Sequence, residues 1–323
     1  MSTTTPASVT IHAPRALWLS YLSLGASMAL VGSYVSLSKV LVVVFPIFLL
    51  AWLRFGIAAV AMAPWVKRGP DESTLNAHDR RLLFLESFFG NFLFSICMLF
   101  GVAMSSALAA GVIMAGIPAA VALMSRAFLK ERISGRVMLG IACAVGGIAL
   151  VSLAKGGGHS GGSTEGGTSL VGNLLLLGAL TCEASYVVIG KKLAAHIGPK
   201  RISALINLWG LALVTPLGIW QALSFDFSTV TSSSWGLLGF YSIAASMVTV
   251  WLWMTGLRHV PAAKAGIFTV MLPVSAAAVG VIFLGEHFST AQAGALALAL
   301  LGVVLATWPG AAATTASATP PPG

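Results

Sequence analysis

The chain has 323 residues, of which 57% are apolar and only 8% are charged. A water-soluble domain of this size needs charged side chains over most of its surface, so the composition excludes an ordinary soluble protein and indicates a chain surrounded by lipid. The formal net charge of +9 does not indicate nucleic-acid binding, because the basic residues are scattered between apolar stretches. The lipid bilayer is the expected main partner, and no nucleic acid is expected.

The two ends of the chain differ from the rest in composition. Residues 1–15 are rich in Ser, Thr and Ala and are interpreted as an N-terminal cytoplasmic tail. The apolar run that follows is too long for a cleaved signal peptide and lacks a small-residue cleavage site, so it is predicted to be a membrane span. Residues 310–323 contain three consecutive prolines and are predicted to be a disordered tail.

Ten mainly apolar stretches of about 20 residues, the length that an α-helix needs to cross a bilayer, follow one another between these tails. The predicted fold class is therefore an all-α polytopic membrane protein with ten transmembrane helices. The predicted spans are residues 16–38, 46–66, 82–103, 106–127, 134–154, 169–190, 203–222, 234–256, 262–284 and 289–308.

The distribution of basic residues predicts the orientation of these spans. If both termini lie in the cytoplasm, all of the 18 basic residues except Lys39, Lys155 and Arg54 fall on the cytoplasmic side. Cytoplasmic loops of membrane proteins carry an excess of Lys and Arg, so this orientation is favoured. The chain is expected to pass several times through the membrane; the absence of a targeting sequence, together with the family resemblance given below, indicates the cytoplasmic membrane of a bacterium.

The chain contains an internal repeat. Residues 107–152 align with residues 262–307 without a gap, at an offset of 155 residues, and the pattern Gly-x6-Pro-x9-Phe-Leu-x-Glu recurs in register. Weaker matches place Gly25 and Lys39 over Gly178 and Lys192. The matched pairs of the main pattern are Gly111 and Gly266, Pro118 and Pro273, Phe128 and Phe283, Leu129 and Leu284, and Glu131 and Glu286.

The repeat divides the chain into two halves of opposite orientation. Residues 16–154 form a first five-helix repeat, 155–168 a Gly/Ser-rich linker, and 169–309 a second five-helix repeat. Because five is odd, the second copy must enter the membrane in the opposite sense. Inverted repeats of this kind are typical of secondary transporters, whose substrate site lies between the two halves.

Two stretches of the sequence resemble the EamA-type transporters of the drug/metabolite transporter superfamily. They are "PVSAAAVGVIFLGEHFSTAQAGALALALLGVVL" from Pro273 and "PAAVALMSRAFLKERISGRVMLGIACAVGGIAL" from Pro118, with Pro46 and Arg54 in "PIFLLAWLRFGIAA". The resemblance implies ten helices, a central cavity between the repeats, and transport of metabolites, often amino acids and frequently by export. The chain departs from many relatives at Glu183, where they carry an aromatic residue.

Two ionisable residues lie deep inside predicted spans, where a charge is costly. Glu183 is a candidate for proton coupling or substrate binding, and its alternative is a structural hydrogen bond to a neighbouring helix. Arg54 cannot realistically lose its proton, so it needs a carboxylate, helix-terminal carbonyls or an anionic group of a substrate. A structural or gating role is favoured for Arg54, and pairing with Glu183 is one possibility.

The remaining candidates are polar residues within spans and prolines at repeated positions. Tyr34, Tyr186, Asn91 and Asn207, with Ser33 and Ser185, are candidate cavity residues or interhelical hydrogen-bonding groups. Pro118 and Pro273 are candidate hinges in mid-span, or fixed bends. Glu86 is expected to reach the cytoplasmic interface or to pair with Arg81. Glu131 and Glu286 are expected to make turn and cap hydrogen bonds.

The sequence favours a transporter over an enzyme. Gly158 to Gly162 formally match GxSxG but lie in the glycine-rich linker, and neither HExxH nor a Walker A motif is present. The three cysteines have no metal-binding spacing, so no metal and no cofactor are expected. The predicted function is a secondary transporter exporting a small polar metabolite, with protons as a candidate partner. The alternatives are an uncoupled facilitator or exchanger, a membrane-embedded enzyme, or a scaffold.

Close helix packing is predicted from small residues at three positions. Gly140, Gly146 and Gly147 permit a second helix to approach closely, either within one chain or between two chains. The oligomeric state is open at this stage.

Overall fold

The structure is a computed structural model that describes residues 14–69, 72, 74–104, 112–156, 170–284 and 289–308. The predicted tails and the predicted linker lie almost entirely outside these residues, and Glu286 lies outside them as well.

All the regular structure of the described residues is helical. The α-helices are α1 Pro14–Val44, α2 Ile47–Ala61, α3 Ala77–Ser87, α4 Phe94–Met104, α5 Ile117–Met124, α6 Gly135–Gly156, α7 Leu170–Ala194, α8 Pro199–Leu223, α9 Ser232–Ser242, α10 Thr249–His259, α11 Ala262–Ile267, α12 Met271–Leu284 and α13 Thr290–Thr307. A π-helical segment, Phe88–Leu93, joins α3 to α4, and a second one, Ile243–Val248, joins α9 to α10. A third, Ser125–Leu129, extends α5, and a 3₁₀ turn, Phe268–Val270, joins α11 to α12.

The helices begin where the sequence supplies a proline or a capping side chain. Pro46 and Pro199 start α2 and α8, positions where the missing N–H of proline costs no helical hydrogen bond. Helix α3 starts with a capping box in which Asn76 and Asp79 accept each other's backbone N–H. This cap places the start of α3 at Ala77, several residues before the predicted boundary at 82.

The helices have the length and surface of a membrane protein. Six helices of the described chain are long and apolar enough to cross a bilayer: Ala77–Met98, Val112–Leu129, Leu170–Ala194, Pro199–Leu223, Ser232–His259 and Thr290–Thr307. Shorter apolar helices cover Leu17–Ser33, Ile47–Ala61, Gly135–Leu150 and Ala262–Ser275. Many large apolar side chains point outward, as lipid contact requires. The prediction of an all-α, multi-pass membrane fold is confirmed.

Helices at equivalent places in the two repeats pack against each other. Helix α2 packs against α8, α5 against α11, and α6 against α13. One further pair of contacts follows the same symmetry: α1 packs on α10, and α4 packs on α7. Helices of the first half therefore pack against helices of the second half throughout the described structure.

Glycines allow the backbones of α6 and α13 to touch. A Cβ atom on Gly140 would lie 2.7 Å from the carbonyl oxygen of Gly302, and one on Gly147 would lie 2.5 Å from the backbone nitrogen of Ala299. Gly146 is less crowded, because the nearest atom to a Cβ atom there, on Leu298 of α13, would be 3.9 Å away. The close approach predicted for Gly140 and Gly147 therefore occurs within one chain.

The two repeated prolines lie at helix starts and do not interrupt a continuous helix. Pro118 is in the first turn of α5, just after a turn at Ala115 and Gly116. Pro273 is the third residue of α12, just after the 3₁₀ turn Phe268–Val270. Because the first-turn N–H groups of a helix have no partner within it, neither proline removes an α-helical hydrogen bond. In both repeats the proline therefore follows an irregular turn of the helix.

Candidate functional site

A cavity lies between the two halves of the chain. Helix α2 and the π-helical segment Phe88–Leu93 contribute from the first half, and α7, α8, α10 and the π-helical segment Ile243–Val248 contribute from the second. The residues that line it are Arg54, Phe55, Asn91, Tyr186, Ser203, Ile206, Asn207, Ala245, Ser246 and Val250.

Four of the six candidate substrate residues come together at this cavity. Arg54, Asn91, Tyr186 and Asn207 all line it, although they belong to different helices. Tyr34 belongs to α1, but its side chain lies outside the described residues. Glu183 is absent from the described lining.

Asn91 and Ser246 occupy equivalent places in the two repeats. They are 155 residues apart, which is the repeat offset, and the two π-helical segments that contain them are related by the same offset. A π-helical turn inserts one residue into the helix and frequently marks a functional site. Each repeat therefore turns a short polar side chain toward the same cavity through the same local distortion.

Arg54 and Asn207 form a second equivalent pair. Both lie eight residues after the proline that starts their helix, Pro46 for α2 and Pro199 for α8. The offset of 153 residues is the one that relates Lys39 to Lys192. Since α2 and α8 pack against each other, these two polar side chains reach the cavity from opposite halves.

The guanidinium group of Arg54 has no acidic partner in the described structure. The ion pairs of the described residues are His196 with Asp79 and Arg201 with Glu72, and neither involves Arg54. Its nearest charge-stabilising neighbours are aromatic: the Cζ atom lies 4.5 Å from the centre of the Phe55 ring and 5.8 Å from that of Tyr241. Aromatic faces attract a cation but do not neutralise its charge. Within the described structure, Arg54 and Glu183 do not pair.

Two buried polar atoms at the cavity lack a hydrogen-bond partner. The Nδ2 group of Asn207 donates to the carbonyl oxygen of Phe55 at 3.0 Å, which fixes the orientation of the amide. Its Oδ1 atom has no partner in the described structure, and neither does the hydroxyl of Ser246. Asn207 is 2% exposed and Ser246 is 4% exposed. Unpaired buried polar atoms are costly and rare, so these two are available to a ligand.

Gly90 positions Tyr186 beside the cavity. A Cβ atom on Gly90 would lie 2.4 Å from the Tyr186 ring, so the ring packs where a side chain would stand. Gly90 belongs to the π-helical segment of the first half, whereas Tyr186 belongs to α7 of the second half. The glycine therefore brings the aromatic ring across the boundary between the repeats.

Glu183 precedes the cavity residue Tyr186 by one turn of α7 and is not part of the described cavity wall. It is three residues before Tyr186 on α7, which is about 4.5 Å along the helix axis, and half-buried. It forms no ion pair or hydrogen bond within the described part of the chain. Residues three apart on a helix lie on neighbouring faces, so Glu183 borders the site through Tyr186.

The expectation for Glu86 is wrong. Its side chain is fully buried and both carboxylate oxygens lack a partner in the described residues, so it neither reaches an interface nor pairs with Arg81. Helices α7 and α10 cover it: a Cβ atom on Gly190 would lie 2.6 Å from Oε1 of Glu86 and close to Met254. The early start of α3 at Ala77 carries Glu86 deeper along the helix than the predicted boundary implied.

Glu131 has the capping role that was predicted for it. Its two carboxylate oxygens accept hydrogen bonds from the backbone N–H groups of Ala262 and Ala263, at 2.9 and 3.1 Å. The first turn of α11 has N–H groups without helical partners, and a carboxylate suits that end of a helix. Glu131 follows the segment Ser125–Leu129 that extends α5. Its hydrogen bonds therefore connect the end of that segment, in the first half, to the start of α11, in the second half.

Two of the candidate serines make hydrogen bonds within their own helix, and two other serines line the cavity without having been predicted to do so. The hydroxyls of Ser33 and Ser185 donate to the carbonyls of Ala29 and Thr181, four residues earlier. Ser246 and Ser203 line the cavity but were not predicted to do so. Extending the repeat alignment upstream of residue 107 at the same offset of 155 pairs Ser246 with Asn91, which is the signal that identifies it. Ser203 carries no comparable signal.

Comparison with known proteins relates the chain to membrane transporters. An uncharacterised transporter of Bacillus subtilis (strain 168), YetK, is 35% identical over 272 residues, covering 83% of this chain and 81% of its own. A second uncharacterised transporter of that organism, YyaM, is 24% identical over 261 residues, covering 79% and 82%. A solved crystal structure shares the fold, with a TM-score of 0.69 at 18% identity over 91% of this chain and 96% of its own.

A family model describes both halves of the chain. The model of the EamA-like transporter family matches residues 18–153 and again residues 170–308, so each half is one copy of the family's repeat. The match spans most of the sequence, and the identity to the first Bacillus transporter extends over both copies. The chain therefore belongs to the EamA-like transporter family.

Proposed function

We propose that this membrane transporter is a secondary transporter that exports a small polar metabolite, such as an amino acid, through the cavity between its two halves. The observation that carries the proposal is that two pairs of equivalent polar positions, Asn91 with Ser246 and Arg54 with Asn207, face one cavity. A site built from both repeats can be exposed to either side of the membrane when one half moves against the other. We propose ten spans in two inverted five-helix repeats, residues 16–154 and 169–309, in a cytoplasmic membrane with both termini cytoplasmic.

The breaks in the helices suit such a movement. Each repeat interrupts a helix just before its repeated proline, Pro118 in the first half and Pro273 in the second. Backbone at such breaks can change its dihedral angles without disturbing a continuous helical ladder. Pro118 and Pro273 are thus the proposed hinge positions.

Glu183 is the proposed proton-linked group. It borders the cavity through Tyr186, and it has no ion-pair partner in the described structure. A carboxyl group in that place can take up a proton on one side of the membrane and release it on the other as the halves rearrange.

An uncoupled facilitator or exchanger of the same substrates is the second candidate. The observation in its favour is that the described wall of the cavity contains no acidic side chain, Glu183 included. In that case the substrate gradient alone would drive transport, and Glu183 would have a structural role.

Counterflow in proteoliposomes distinguishes these two candidates. Radiolabelled amino acids are exchanged by the native protein and by Glu183→Gln, each with and without an imposed pH gradient. Proton coupling predicts that the pH gradient drives accumulation in the native protein and that Glu183→Gln loses accumulation but keeps exchange. Equal behaviour of the two proteins under both conditions supports the facilitator, and absence of exchange across all metabolites contradicts transport through this cavity.

A further inference from the structure

The charge of the cavity is unbalanced. Its described lining contains one permanent cation, Arg54, and no acidic side chain. The other polar members of the lining are amides, hydroxyls and a phenol, all of which are neutral. A guanidinium within an apolar protein is retained only where it meets negative charge or strong acceptors. The described residues supply no such group to Arg54, so its anionic partner is expected to come from a ligand.

The orientation of Arg54 leaves it free to bind such a group. It donates no hydrogen bond to the described protein, and its contacts are with the faces of Phe55 and Tyr241. Aromatic faces attract the cation without taking up its N–H groups in conventional hydrogen bonds, so these groups keep their donor capacity. A planar fork of N–H donors matches the two oxygens of a carboxylate.

The Oδ1 atom of Asn207 is the second atom that can bind the ligand, and it is a hydrogen-bond acceptor. The Asn207 amide is fixed by its bond to the carbonyl oxygen of Phe55, which leaves the buried Oδ1 atom to accept a hydrogen bond. An acceptor-only atom needs a donor from the ligand, such as an ammonium or a hydroxyl group. Phe55 follows Arg54 in the chain and receives the Asn207 bond, so the cation and the acceptor are held by one short stretch of α2 and its neighbour α8.

We infer that the cavity binds a small carboxylate, with the carboxylate group on Arg54 and a donor group of the same molecule on Oδ1 of Asn207. This inference rests on the proposed transport function and names the substrate class. A single cation matches a single negative charge, which favours a monocarboxylate over a phosphate ester with its larger charge.

The experiment compares free acids with their amides. The common amino acids and lactate, together with alaninamide, leucinamide and lactamide, are tested for thermal stabilisation of the purified protein in detergent and for counterflow in proteoliposomes. Ligand binding to the native state raises its thermal stability, so the first measurement reports binding without transport. We expect at least one acid to bind and to exchange, and its amide to do neither.

Three variants test the assignment of residues. Arg54→Gln should bind the acid at least about 10-fold more weakly, as expected when a charged hydrogen bond is lost. Arg80→Gln is the matched control, because Arg80 is exposed outside the cavity and its replacement removes the same charge. Asn207→Asp places a carboxylate in the cavity that Arg54 lines, so it should lose acid binding, and loss of the Nδ2 hydrogen bond to the Phe55 carbonyl should lower its melting temperature. This third variant keeps the test informative if Arg54→Gln fails to fold.

The outcomes separate the inference from the proposed function. Exchange of amides as well as acids, with Arg54→Gln as active as the native protein, overturns the carboxylate assignment and leaves transport standing. Binding of acids that depends on Arg54, without exchange of any compound, upholds the assignment and contradicts transport. Absence of both binding and exchange for every acid also overturns the assignment.

Discussion

Asn91 and Ser246 lie 155 residues apart in the chain, yet they face the same cavity from equivalent π-helical segments. The two copies of the repeat share the local distortion, but the first carries an amide at this position and the second a hydroxyl. At the second equivalent pair, Arg54 and Asn207, the first copy supplies charge and the second supplies an uncharged amide. The backbone of the site is therefore symmetric and its chemistry is not, which suits recognition of an asymmetric molecule.

Gly90→Ala is expected to reduce transport by displacing Tyr186. A Cβ atom would stand 2.4 Å from the ring, so the ring must move away from its place beside the cavity. Overpacking of this kind costs about 1–3 kcal/mol. Counterflow rates and melting temperatures measure the two effects.

Gly239→Ala is the matched control for that substitution, because a Cβ atom there has no neighbour within 4 Å. It should leave both transport and thermal stability unchanged. Equal transport by the native protein, Gly90→Ala and Gly239→Ala would show that the position of Tyr186 does not matter for transport.

Gly147→Ala is expected to destabilise the protein because α6 and α13 touch through their backbones. The new methyl group would lie 2.5 Å from the backbone nitrogen of Ala299, which cannot move without shifting the whole helix. The expected cost is about 1–3 kcal/mol, seen as a fall in melting temperature in detergent. The neighbouring substitution Gly146→Ala adds the same methyl group in ordinary contact at 3.9 Å and should be tolerated. Equal melting temperatures for the two variants would contradict the close packing.

Glu131→Ala is expected to lower thermal stability by removing the cap on α11. Two backbone N–H groups, those of Ala262 and Ala263, lose their acceptor. Loss of a helix cap typically costs about 1 kcal/mol. Glu131→Gln keeps one acceptor oxygen and should lose less, while Arg132→Ala changes an exposed neighbour and serves as the control. A larger loss of stability in Arg132→Ala than in Glu131→Ala would contradict the capping role.

The pair of Glu72 and Arg201 predicts a dependence of stability on pH. Burial by itself raises the pKa of Glu72, but hydrogen bonds from Arg201 and from the backbone N–H of Gly198, with the charge of Arg201, outweigh burial and lower this pKa below 4.5. A lowered folded-state pKa stabilises the fold above the unfolded-state value, and that contribution is lost as pH falls through the folded-state value. The native protein should therefore exceed Glu72→Gln in melting temperature at pH 7, with the gap closing below about pH 4.5.

Arg201→Gln provides the second arm of this pH measurement. Without the guanidinium, the pKa of Glu72 should move toward its ordinary value, so the gap in melting temperature at pH 7 should shrink. A gap between the native protein and Glu72→Gln that persists unchanged at pH 3 would show that the carboxylate contributes through shape and not through charge.

Much of the fold was predictable because membrane spans are long and apolar. The predicted starts of α2 and α11 agree closely with the structure, since Pro46 and Pro261 mark them in the sequence. The sequence predicted that the third span begins at residue 82, whereas α3 begins at Ala77. Its first turn, after the capping box of Asn76 and Asp79, is polar, so a search for apolar stretches leaves it out. That error made Glu86 look like an interfacial residue.

The cavity was only partly predictable. Polar residues such as Arg54, Asn91 and Asn207 stand out because polar side chains are costly in a span. The π-helical segments have no such signal, because a single inserted residue leaves an apolar pattern almost unchanged. Whether a polar side chain faces the cavity or its own helix, as Ser185 does, depends on helix rotation, which is fixed by packing between distant segments.

The most direct test of the central claim is the accessibility of Ser246 from the two sides of the membrane. Cys97, Cys143 and Cys182 are replaced by alanine, Ser246→Cys is introduced, and a membrane-impermeant thiol reagent is applied to right-side-out and to inverted vesicles. A transport site between the two halves predicts reaction from both sides, slowed by a transported substrate. Reaction from one side only, or from neither, would contradict the claim that this cavity is the alternately exposed transport site.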